Sequence, residues 1–329
     1  MTDRIPGRPT DLVTGPTNVP PVGTAHLARA RLLAAPGLAD PVVRSLERIA
    51  GRPVERTGAD PAVPDGPYVY VGAALPGALR GDGLLWFHSV NAGTDAVLDA
   101  GPWPSGALLT RTVGRMGERI AQYVLAWVLA DCQSVPEFTA RHARAEWRRV
   151  PGELVSGQTA LIHGTGRIGS AVAGLLRACG IRTVGVVRTP RAVPPGFDAV
   201  AGPDEQVDAR WVVAALPLTG ETAGRFGAER FAAMGGASFI NVGRGATVDL
   251  AALEAALHAG TVGRAVLDVL ADEPAGPGDR CWRLPRTVVT SHSAGITADD
   301  DIVTDFAACL RDLVAGRVPA LAVDPARGY

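Results

Sequence analysis

The chain has 329 residues, of which 47% are hydrophobic, and this is enough to form one large or two moderate folded domains. Its 32 basic residues offset 33 acidic ones, so the net charge of −1 gives no sign of a nucleic-acid or anionic-membrane partner. All 32 basic residues are arginine. The absence of lysine excludes enzymes that need a Schiff-base lysine, protein kinases, and NTPases with a standard phosphate-binding loop.

The four cysteines are widely spaced and form neither a C-x-x-C pair nor a zinc-binding pattern. We therefore predict reduced, buried thiols and no metal site. The N-terminal residues lack the apolar segment of a signal peptide, and the longest dense apolar stretch, 123–130, is too short to span a bilayer. Together these features predict a cytoplasmic protein with no membrane partner.

The first third of the chain has the pattern of a small α/β domain. Residues 1–23 are rich in Pro, Gly and Thr, which predicts an irregular lead-in with one short strand at 11–14. Helices are expected next at 24–35 and 41–50. Three short apolar runs bounded by glycine or proline then predict buried strands. These runs lie at 68–71, 84–90 and 107–110.

The remainder of the chain alternates between apolar runs and helical patterns. A long apolar helix is predicted at 116–133, and an arginine-rich helix follows near 137–149. The alternation from residue 159 onward predicts a doubly wound parallel sheet, and a last helix is expected at 298–315. The strands of this sheet are expected at 159–162, 183–187, 211–215, 238–242, 265–269 and 287–290.

A glycine motif, Gly164-x-Gly166-x-x-Gly169, lies directly after a predicted strand and opens a predicted helix. Gly164 permits the tight turn, Gly166 lets the backbone approach a pyrophosphate, and Gly169 lets the helix and strand pack closely. The phosphates would lie against the helix N-terminus, where free N–H groups and the helix dipole favour negative charge. The motif predicts a dinucleotide site at Gly164, Gly166, Arg167, Ile168 and Gly169.

The end of the second strand of this sheet indicates which dinucleotide is bound. Folds that prefer NAD place an Asp or Glu there to bind the adenine ribose, but that position is Val187 in this chain. Arg188 and Arg191 flank Thr189, and two guanidinium groups with a hydroxyl suit a 2′-phosphate. We therefore predict a preference for NADPH over NADH. The alternative is that both arginines are solvated and that the protein binds NADH weakly or without preference.

Motifs further along the chain carry a resemblance to a known enzyme family. In order and spacing they closely resemble the D-isomer-specific 2-hydroxyacid dehydrogenases over residues 84–316, and the stretch 109–126 looks most like the glyoxylate/hydroxypyruvate reductase A branch. The motifs are Ala214-Ala215-Leu216-Pro217-Leu218-Thr219-x-x-Thr222, Asn241-Val242-Gly243-Arg244-Gly245, Leu267-Asp268-Val269-x-x-x-Glu273-Pro274 and Thr290-Ser291-His292-Ser293-Ala294-Gly295.

The resemblance implies a catalytic triad. Arg244 would bind the carboxylate of a 2-oxo acid, His292 would give the proton to the carbonyl oxygen, and Glu273 would hydrogen-bond His292. These roles agree with the chemistry, because hydride reduction of a ketone builds negative charge on the oxygen and requires an acid beside it. A neighbouring carboxylate stabilises protonated histidine, and arginine is the planar bidentate partner of a carboxylate.

The resemblance also implies contacts outside the triad. Backbone N–H groups of Asn91, Ala92 and Gly93 would hold the substrate carboxylate, although the same stretch is also typical of an ordinary strand-to-helix turn. Asp268 lies near the expected coenzyme ribose, but a structural role is favoured over a catalytic one. His163, which precedes the glycine motif, is expected to pack, and His88 to be a satisfied core residue. Further coenzyme contacts are expected at Leu216, Pro217, Thr222 and Asp268.

The predicted fold is α/β, with a Rossmann-like doubly wound parallel sheet and a smaller flavodoxin-like α/β substrate domain. The dinucleotide-binding domain is expected at 110–295, and the substrate-binding domain at 1–109 with completion by 296–329. The predicted activity is NAD(P)H-dependent reduction of a small 2-oxo acid, similar to glyoxylate or hydroxypyruvate, to the D-2-hydroxy acid. The resemblance further implies a homodimer formed through the helix near 116–133. The alternative is a related nucleotide-sensing binding protein or corepressor without turnover.

Overall fold

The computed structural model describes residues 24–189 and 192–326, so the lead-in at 1–23 and the strand expected at 11–14 lie outside the described residues. The described α-helices are α1 (Thr24–Arg29), α2 (Asp40–Ala50), α3 (Asp95–Asp99), α4 (Met116–Cys132), α5 (Val135–Ala143), α6 (Arg167–Ala178), α7 (Ala228–Ala232), α8 (Leu250–Ala259) and α9 (Asp299–Val314). The described strands are β1 (Arg31–Ala34), β2 (Val54–Arg56), β3 (Tyr68–Gly72), β4 (Leu84–Ser89), β5 (Leu108–Arg111), β6 (Thr159–His163), β7 (Arg182–Val186), β8 (Ala199–Ala201), β9 (Trp211–Ala214), β10 (Ala237–Asn241), β11 (Val262–Leu267), β12 (Thr287–Val289) and β13 (Ala322–Val323).

The described residues form two compact units. The first unit contains the residues up to Val113 together with those from Ala298 onward, and the second contains Gly114–Thr297. The first unit is therefore discontinuous in sequence.

The sheet of the first unit has the strand order β13-β5-β4-β3-β1-β2, in which β1 to β5 are parallel and β13 is antiparallel to β5. The order 2-1-3-4-5 of the parallel strands is that of flavodoxin, so the predicted fold of this domain is confirmed. Helix α9 covers one face of the sheet, where the Phe306 ring stacks on Trp86 at a centroid distance of 4.9 Å. Residues from both parts of the chain thus share one core.

The prediction of a single helix over 24–35 is wrong in its second half. Helix α1 ends at Arg29, and Arg31–Ala34 forms the strand β1 between β2 and β3. The local composition of Ala, Leu and Arg favours a helix, but Leu32 and Leu33 are buried in different core clusters of this unit. Burial on both faces of a parallel sheet outweighs the local helix propensity here.

His88 is a fully buried core residue of the first unit, as predicted. Its Nδ1 lies 2.7 Å from Thr110 Oγ1 and its Nε2 lies 3.1 Å from Thr112 Oγ1, so both ring nitrogens are hydrogen-bonded. Burial lowers the pKa of His88 to about 3, which keeps the ring neutral at physiological pH.

The sheet of the second unit has the order β12-β11-β10-β9-β6-β7-β8, and its strands are all parallel. Numbered from β6, this is the Rossmann order 3-2-1-4-5-6 with a seventh strand at the edge, which confirms the doubly wound prediction. The strand order reverses between β6 and β9. In open α/β sheets, ligands bind beyond the carboxyl ends of the strands at such a point.

The helix expected near 137–149 is shorter than predicted. Helix α5 ends at Ala143, and Ala145 adopts a left-handed conformation with φ of +53° that the helix cannot continue through. The chain that follows leaves the Trp147 side chain fully exposed. None of the described helices combines the length and the apolar character needed to cross a bilayer.

Candidate active site

The glycine motif connects β6 to α6 at the point where the strand order reverses. A Cβ at Gly164, where φ is +103°, would lie 2.5 Å from the carbonyl oxygen of Ala215, and a Cβ at Gly169 would lie 1.8 Å from that of Gly164. These two positions therefore require glycine. At Gly166 a Cβ would meet no described atom within 4 Å, so the space beside this residue is open.

The start of α6 fits a dinucleotide. Gly166 precedes the first turn and has no side chain that could cap it, and both Gly166 and Arg167 are exposed. Ile168 is half-buried in the same turn. A pyrophosphate that approached this end of the helix would meet backbone N–H groups, the positive end of the helix dipole and one guanidinium group.

The end of β7 carries the residues predicted to select the coenzyme. Val187 is buried, whereas Arg188 and Thr189 are exposed. Arg188 Nη1 lies 2.5 Å from Glu221 Oε2, so this guanidinium group has an acidic partner that the sequence did not indicate. Arg191 lies outside the described residues.

The loop after β9 is held by Thr222, one of its predicted coenzyme contacts. Thr222 Oγ1 donates a hydrogen bond to the Pro217 carbonyl at 2.7 Å and accepts one from the Thr219 N–H at 2.8 Å. The backbone of Leu216 lies so close to Gly243 that a Cβ there would be 2.6 Å from the Leu216 oxygen. Thr222 therefore fixes the shape of the loop, and Leu216 packs it against the chain that follows β10.

Three of the predicted site residues follow three neighbouring parallel strands. Arg244 lies just beyond the end of β10, Asp268 directly follows β11, and His292 lies just beyond the end of β12. Because the carboxyl ends of parallel strands meet at one edge of the sheet, these residues share the edge that also carries the glycine motif.

His292 and Glu273 are brought into direct contact. His292 Nδ1 lies 2.8 Å from Glu273 Oε2, and the other carboxylate oxygen, Oε1, accepts the Leu270 N–H at 2.8 Å. Just over half of the His292 side chain is exposed. Glu273 therefore orients the imidazole ring, and the ring can present its Nε2 to a ligand.

Arg244 is positioned by a turn that Asn241 organises. The buried Asn241 donates from Nδ2 to the Arg244 carbonyl at 3.2 Å and accepts the Gly243 N–H on Oδ1 at 3.0 Å. The Arg244 Nη1 donates to the Gly243 carbonyl at 2.8 Å. A Cβ at Gly245 would lie 1.8 Å from the carbonyl carbon of Leu270, so glycine allows the Arg244 loop to contact the segment that leads to Glu273.

Asp268 holds the loop that carries His292. The Asp268 side chain is buried, and its Oδ1 accepts hydrogen bonds from the N–H groups of Ser293 at 2.8 Å and Ala294 at 3.0 Å. The Asp268 carbonyl accepts the His292 N–H at 2.6 Å. Ser291 and His292 have φ of +52° and +57°, a left-handed conformation that costs roughly 1–2 kcal/mol for each non-glycine residue. The bonds to Asp268 offset this cost, and the predicted structural role is therefore evident in its contacts.

Two residues that the sequence analysis did not assign to the site, Tyr123 and Thr290, complete this arrangement. Thr290 Oγ1 donates to Asp268 Oδ1 at 2.7 Å, and it lies 2.6 Å from the hydroxyl of Tyr123 on α4. Since the Thr290 proton is used on the carboxylate, Tyr123 donates to Thr290. Burial raises the pKa of Tyr123 to about 12, which keeps this donor protonated. Their separation of 167 residues left no local signal for the contact.

The remaining predicted contacts lie apart from this loop. His163 is buried and packs edge-on against Phe226 at 4.9 Å, and burial lowers its pKa to about 3, which favours the packing interpretation. In the first unit, the loop after β4 contains Asn91, Ala92 and Gly93. The Asn91 N–H lies 3.2 Å from Ser89 Oγ, and the Ala92 carbonyl accepts from Arg111 Nη1 at 3.3 Å.

The second unit thus has a dinucleotide-binding Rossmann fold. A histidine–carboxylate pair lies at the edge of the sheet where such folds bind ligands, and this combination is typical of an oxidoreductase. Residues 125–294 match the family model "D-isomer specific 2-hydroxyacid dehydrogenase, NAD binding domain". Glyoxylate/hydroxypyruvate reductase A of Serratia proteamaculans is 32% identical over 257 residues, which cover 75% of this chain and 82% of the relative. An uncharacterized protein in the mprR 3′ region of Streptomyces coelicolor is 58% identical over 278 residues, 83% of this chain and 100% of the relative.

Solved structures that resemble this chain belong to the same family. A D-isomer specific 2-hydroxyacid dehydrogenase from Xanthobacter autotrophicus Py2, in complex with NADPH and MES, has a TM-score of 0.81 at 30% identity. The match covers 91% of this chain and 100% of the chain in that structure. An NADPH-dependent glyoxylate/hydroxypyruvate reductase from Sinorhizobium meliloti, in complex with NADP and sulfate, has a TM-score of 0.76 at 26% identity with 91% and 100% coverage. The chain belongs to the D-isomer specific 2-hydroxyacid dehydrogenase family and is an NAD(P)-dependent oxidoreductase.

Proposed function

We propose that this protein is an NADPH-dependent reductase that converts a small 2-oxo acid, of the glyoxylate or hydroxypyruvate type, to the D-2-hydroxy acid. The single observation that carries the proposal is the 2.8 Å contact between His292 Nδ1 and Glu273 Oε2 at the sheet edge that also carries Arg244 and the glycine motif. Support for the substrate type and the coenzyme comes from the relatives described as glyoxylate/hydroxypyruvate reductases and from the two solved relatives in complex with NADPH and NADP.

The coenzyme site is assigned to residues of the second unit. The backbone at Gly166 and the first turn of α6 would hold the pyrophosphate, with Arg167 as a charged neighbour. Arg188, Thr189 and Arg191 would bind the 2′-phosphate. Leu216, Pro217, Thr222 and Asp268 would line the remainder of this site. The bound coenzyme supplies the hydride.

The proton is assigned to His292. Because Nδ1 is bonded to Glu273, the transferable proton would be carried on Nε2 and pass to the carbonyl oxygen as negative charge develops there. The Glu273 carboxylate holds the ring in the same orientation before and after the transfer. In the oxidative direction the neutral Nε2 would accept the proton from the hydroxy acid.

The substrate carboxylate is assigned to Arg244. A guanidinium group pairs with a carboxylate through two parallel hydrogen bonds, and this fixes the orientation of the 2-oxo group. The substrate-binding role expected from sequence for Asn91, Ala92 and Gly93 stays a prediction, and the Asn91 N–H is bonded to Ser89 Oγ. The proposal keeps the two domains expected from sequence. The substrate-binding domain comprises 1–109 and 296–329, and the dinucleotide-binding domain comprises 110–295.

The proposal predicts turnover in a panel of 2-oxo acids followed by NADPH absorbance. Glyoxylate and hydroxypyruvate should be reduced with kcat/KM in the common enzymatic range of about 10⁴ M⁻¹s⁻¹ or above. Pyruvate, bulkier acids and doubly anionic acids complete the panel, and NADH should be less effective than NADPH. If the protein binds NADPH but reduces none of these acids, the proposal fails and the binding-protein alternative replaces it.

We also propose that the protein is a homodimer that associates through α4 and the segment that follows it. Leu129, Phe138 and Trp147 are exposed there, and a groove of about 810 Å³ runs beside Phe138 and Trp147. Exposed aromatic clusters are typical of protein–protein interfaces.

Light scattering should give twice the chain mass for the wild type, and Trp147→Ser should shift the equilibrium toward monomer. Val63→Ser, which removes an exposed apolar side chain from the first unit, serves as the control and should leave the dimer intact.

A further inference from the structure

We propose that Glu221 is a coenzyme-specificity residue, which weakens the binding of 2′-phosphorylated coenzymes by pairing with Arg188. The inference rests on the proposed NADPH site and names a residue that stands at an unspecified position of the motif at 214–222. It follows from the contact between Arg188 Nη1 and Glu221 Oε2 at 2.5 Å.

The position of this pair connects it to the coenzyme site. Arg188 lies shortly beyond the carboxyl end of β7, and Glu221 lies in the loop that follows β9. These two strands are the neighbours of β6 on either side, and β6 leads into the glycine motif. The ion pair therefore links the loops on both sides of the glycine motif.

The exposure of the pair allows it to exchange partners. The Arg188 and Glu221 side chains are 76% and 69% exposed, so their mutual attraction is screened by water and salt and is readily replaced. A 2′-phosphate that binds Arg188 must displace the Glu221 carboxylate. After displacement, the carboxylate lies near a second negative group and repels it.

A 2′-hydroxyl group is affected differently because it carries no charge. It neither competes for the full charge of Arg188 nor experiences the repulsion from Glu221. The carboxylate of Glu221 therefore acts against NADPH and leaves NADH nearly unaffected. In this arrangement Arg188 contributes to the binding of the 2′-phosphate, and Glu221 limits how strongly NADPH is preferred.

The test compares two ligands that differ by the phosphate alone, 2′,5′-ADP and 5′-AMP, titrated calorimetrically into the full chain. Glu221→Gln should tighten 2′,5′-ADP by about three- to tenfold at low ionic strength and leave 5′-AMP within about twofold. The gain should shrink in about 0.5 M salt, as expected for exposed charges. Glu229→Gln removes another exposed carboxylate of the same unit, on α7, and should change neither affinity.

A double-mutant cycle assigns the effect to the pair. Arg188→Ala should weaken 2′,5′-ADP by about tenfold, and Glu221→Gln should give a smaller gain in that background than in the wild type, because the repulsion remains but the competition for Arg188 does not. The ratio of kcat/KM for NADPH to that for NADH should rise in Glu221→Gln by the same factor as the 2′,5′-ADP affinity.

Two results would overturn the inference at different levels. If Glu221→Gln leaves the 2′,5′-ADP affinity unchanged, or tightens both ligands equally, Glu221 has no role in coenzyme selection while the NADPH site stands. If Arg188→Ala does not weaken 2′,5′-ADP, the proposed NADPH site is itself wrong, and the inference fails with it.

Discussion

His292→Gln should lower kcat for 2-oxo acid reduction by about 10²–10⁴-fold, the usual contribution of a general acid. Glutamine has nearly the reach of histidine and can keep a hydrogen bond to Glu273, but it has no proton that it can give to an alkoxide. NADPH affinity, measured by fluorescence or calorimetry, should stay within about twofold because the coenzyme contacts assigned above do not involve the imidazole. This separation of kcat from coenzyme binding distinguishes a chemical role from a structural one.

The matched control for this variant is His258→Gln. His258 is exposed in the last turn of α8, where its Nδ1 lies 2.9 Å from the Glu254 carbonyl, and its loss should leave kcat unchanged. Glu273→Gln should fall between the two, since an amide can still hydrogen-bond the ring but forms a weaker bond than the charged carboxylate. A His292→Gln protein with near-normal turnover would rule out the assignment of the proton donor.

Arg244→Lys should raise KM for the 2-oxo acid by about 30–150-fold, because about 2–3 kcal/mol of charge-assisted bidentate bonding is reduced to a single point contact. The change preserves the charge and tests the planar geometry of the guanidinium group, and it would introduce the first lysine into this chain. The coenzyme affinity should be unchanged, and Arg244→Ala should be more severely impaired in kcat/KM than Arg244→Lys.

Arg311→Lys is the control for this substitution. Arg311 is exposed in the last turn of α9, and its replacement should leave both KM and kcat unchanged. Steady-state kinetics with the best 2-oxo acid of the panel measure all three variants. An Arg244→Lys enzyme with an unaltered KM would mean that another group binds the substrate carboxylate.

The parts of the protein that the sequence predicts well are those in which a local pattern carries the signal. The glycine motif is recognisable because the strand, the turn and the helix follow one another directly along the chain. His292 and Glu273 are separated by only 19 residues. Glu273 follows strand β11 and His292 follows strand β12, the next strand in the chain. Their contact is therefore implied once the strands are placed side by side.

The parts that the sequence does not predict depend on contacts between distant segments. The strand β1 has the composition of a helix, and only its pairing with β2 and β3 makes it a strand. The Tyr123–Thr290 contact and the Arg188–Glu221 pair each join loops or helices whose proximity follows from the strand order of the sheet. The sequence pattern predicts the doubly wound sheet but not which side chains of its loops and helices meet, so these contacts become visible only in three dimensions.

The discontinuity of the first unit has a consequence for synthesis of the protein. Residues Gly114–Thr297 are continuous in sequence, so the second unit is synthesised without interruption. The first unit cannot close its core until α9 has been made, because Trp86 stacks on Phe306, and the antiparallel partner of β5 arrives later still. A nascent chain that stalls before Ala298 would therefore expose the apolar surface around Trp86, even though most of that unit is already translated.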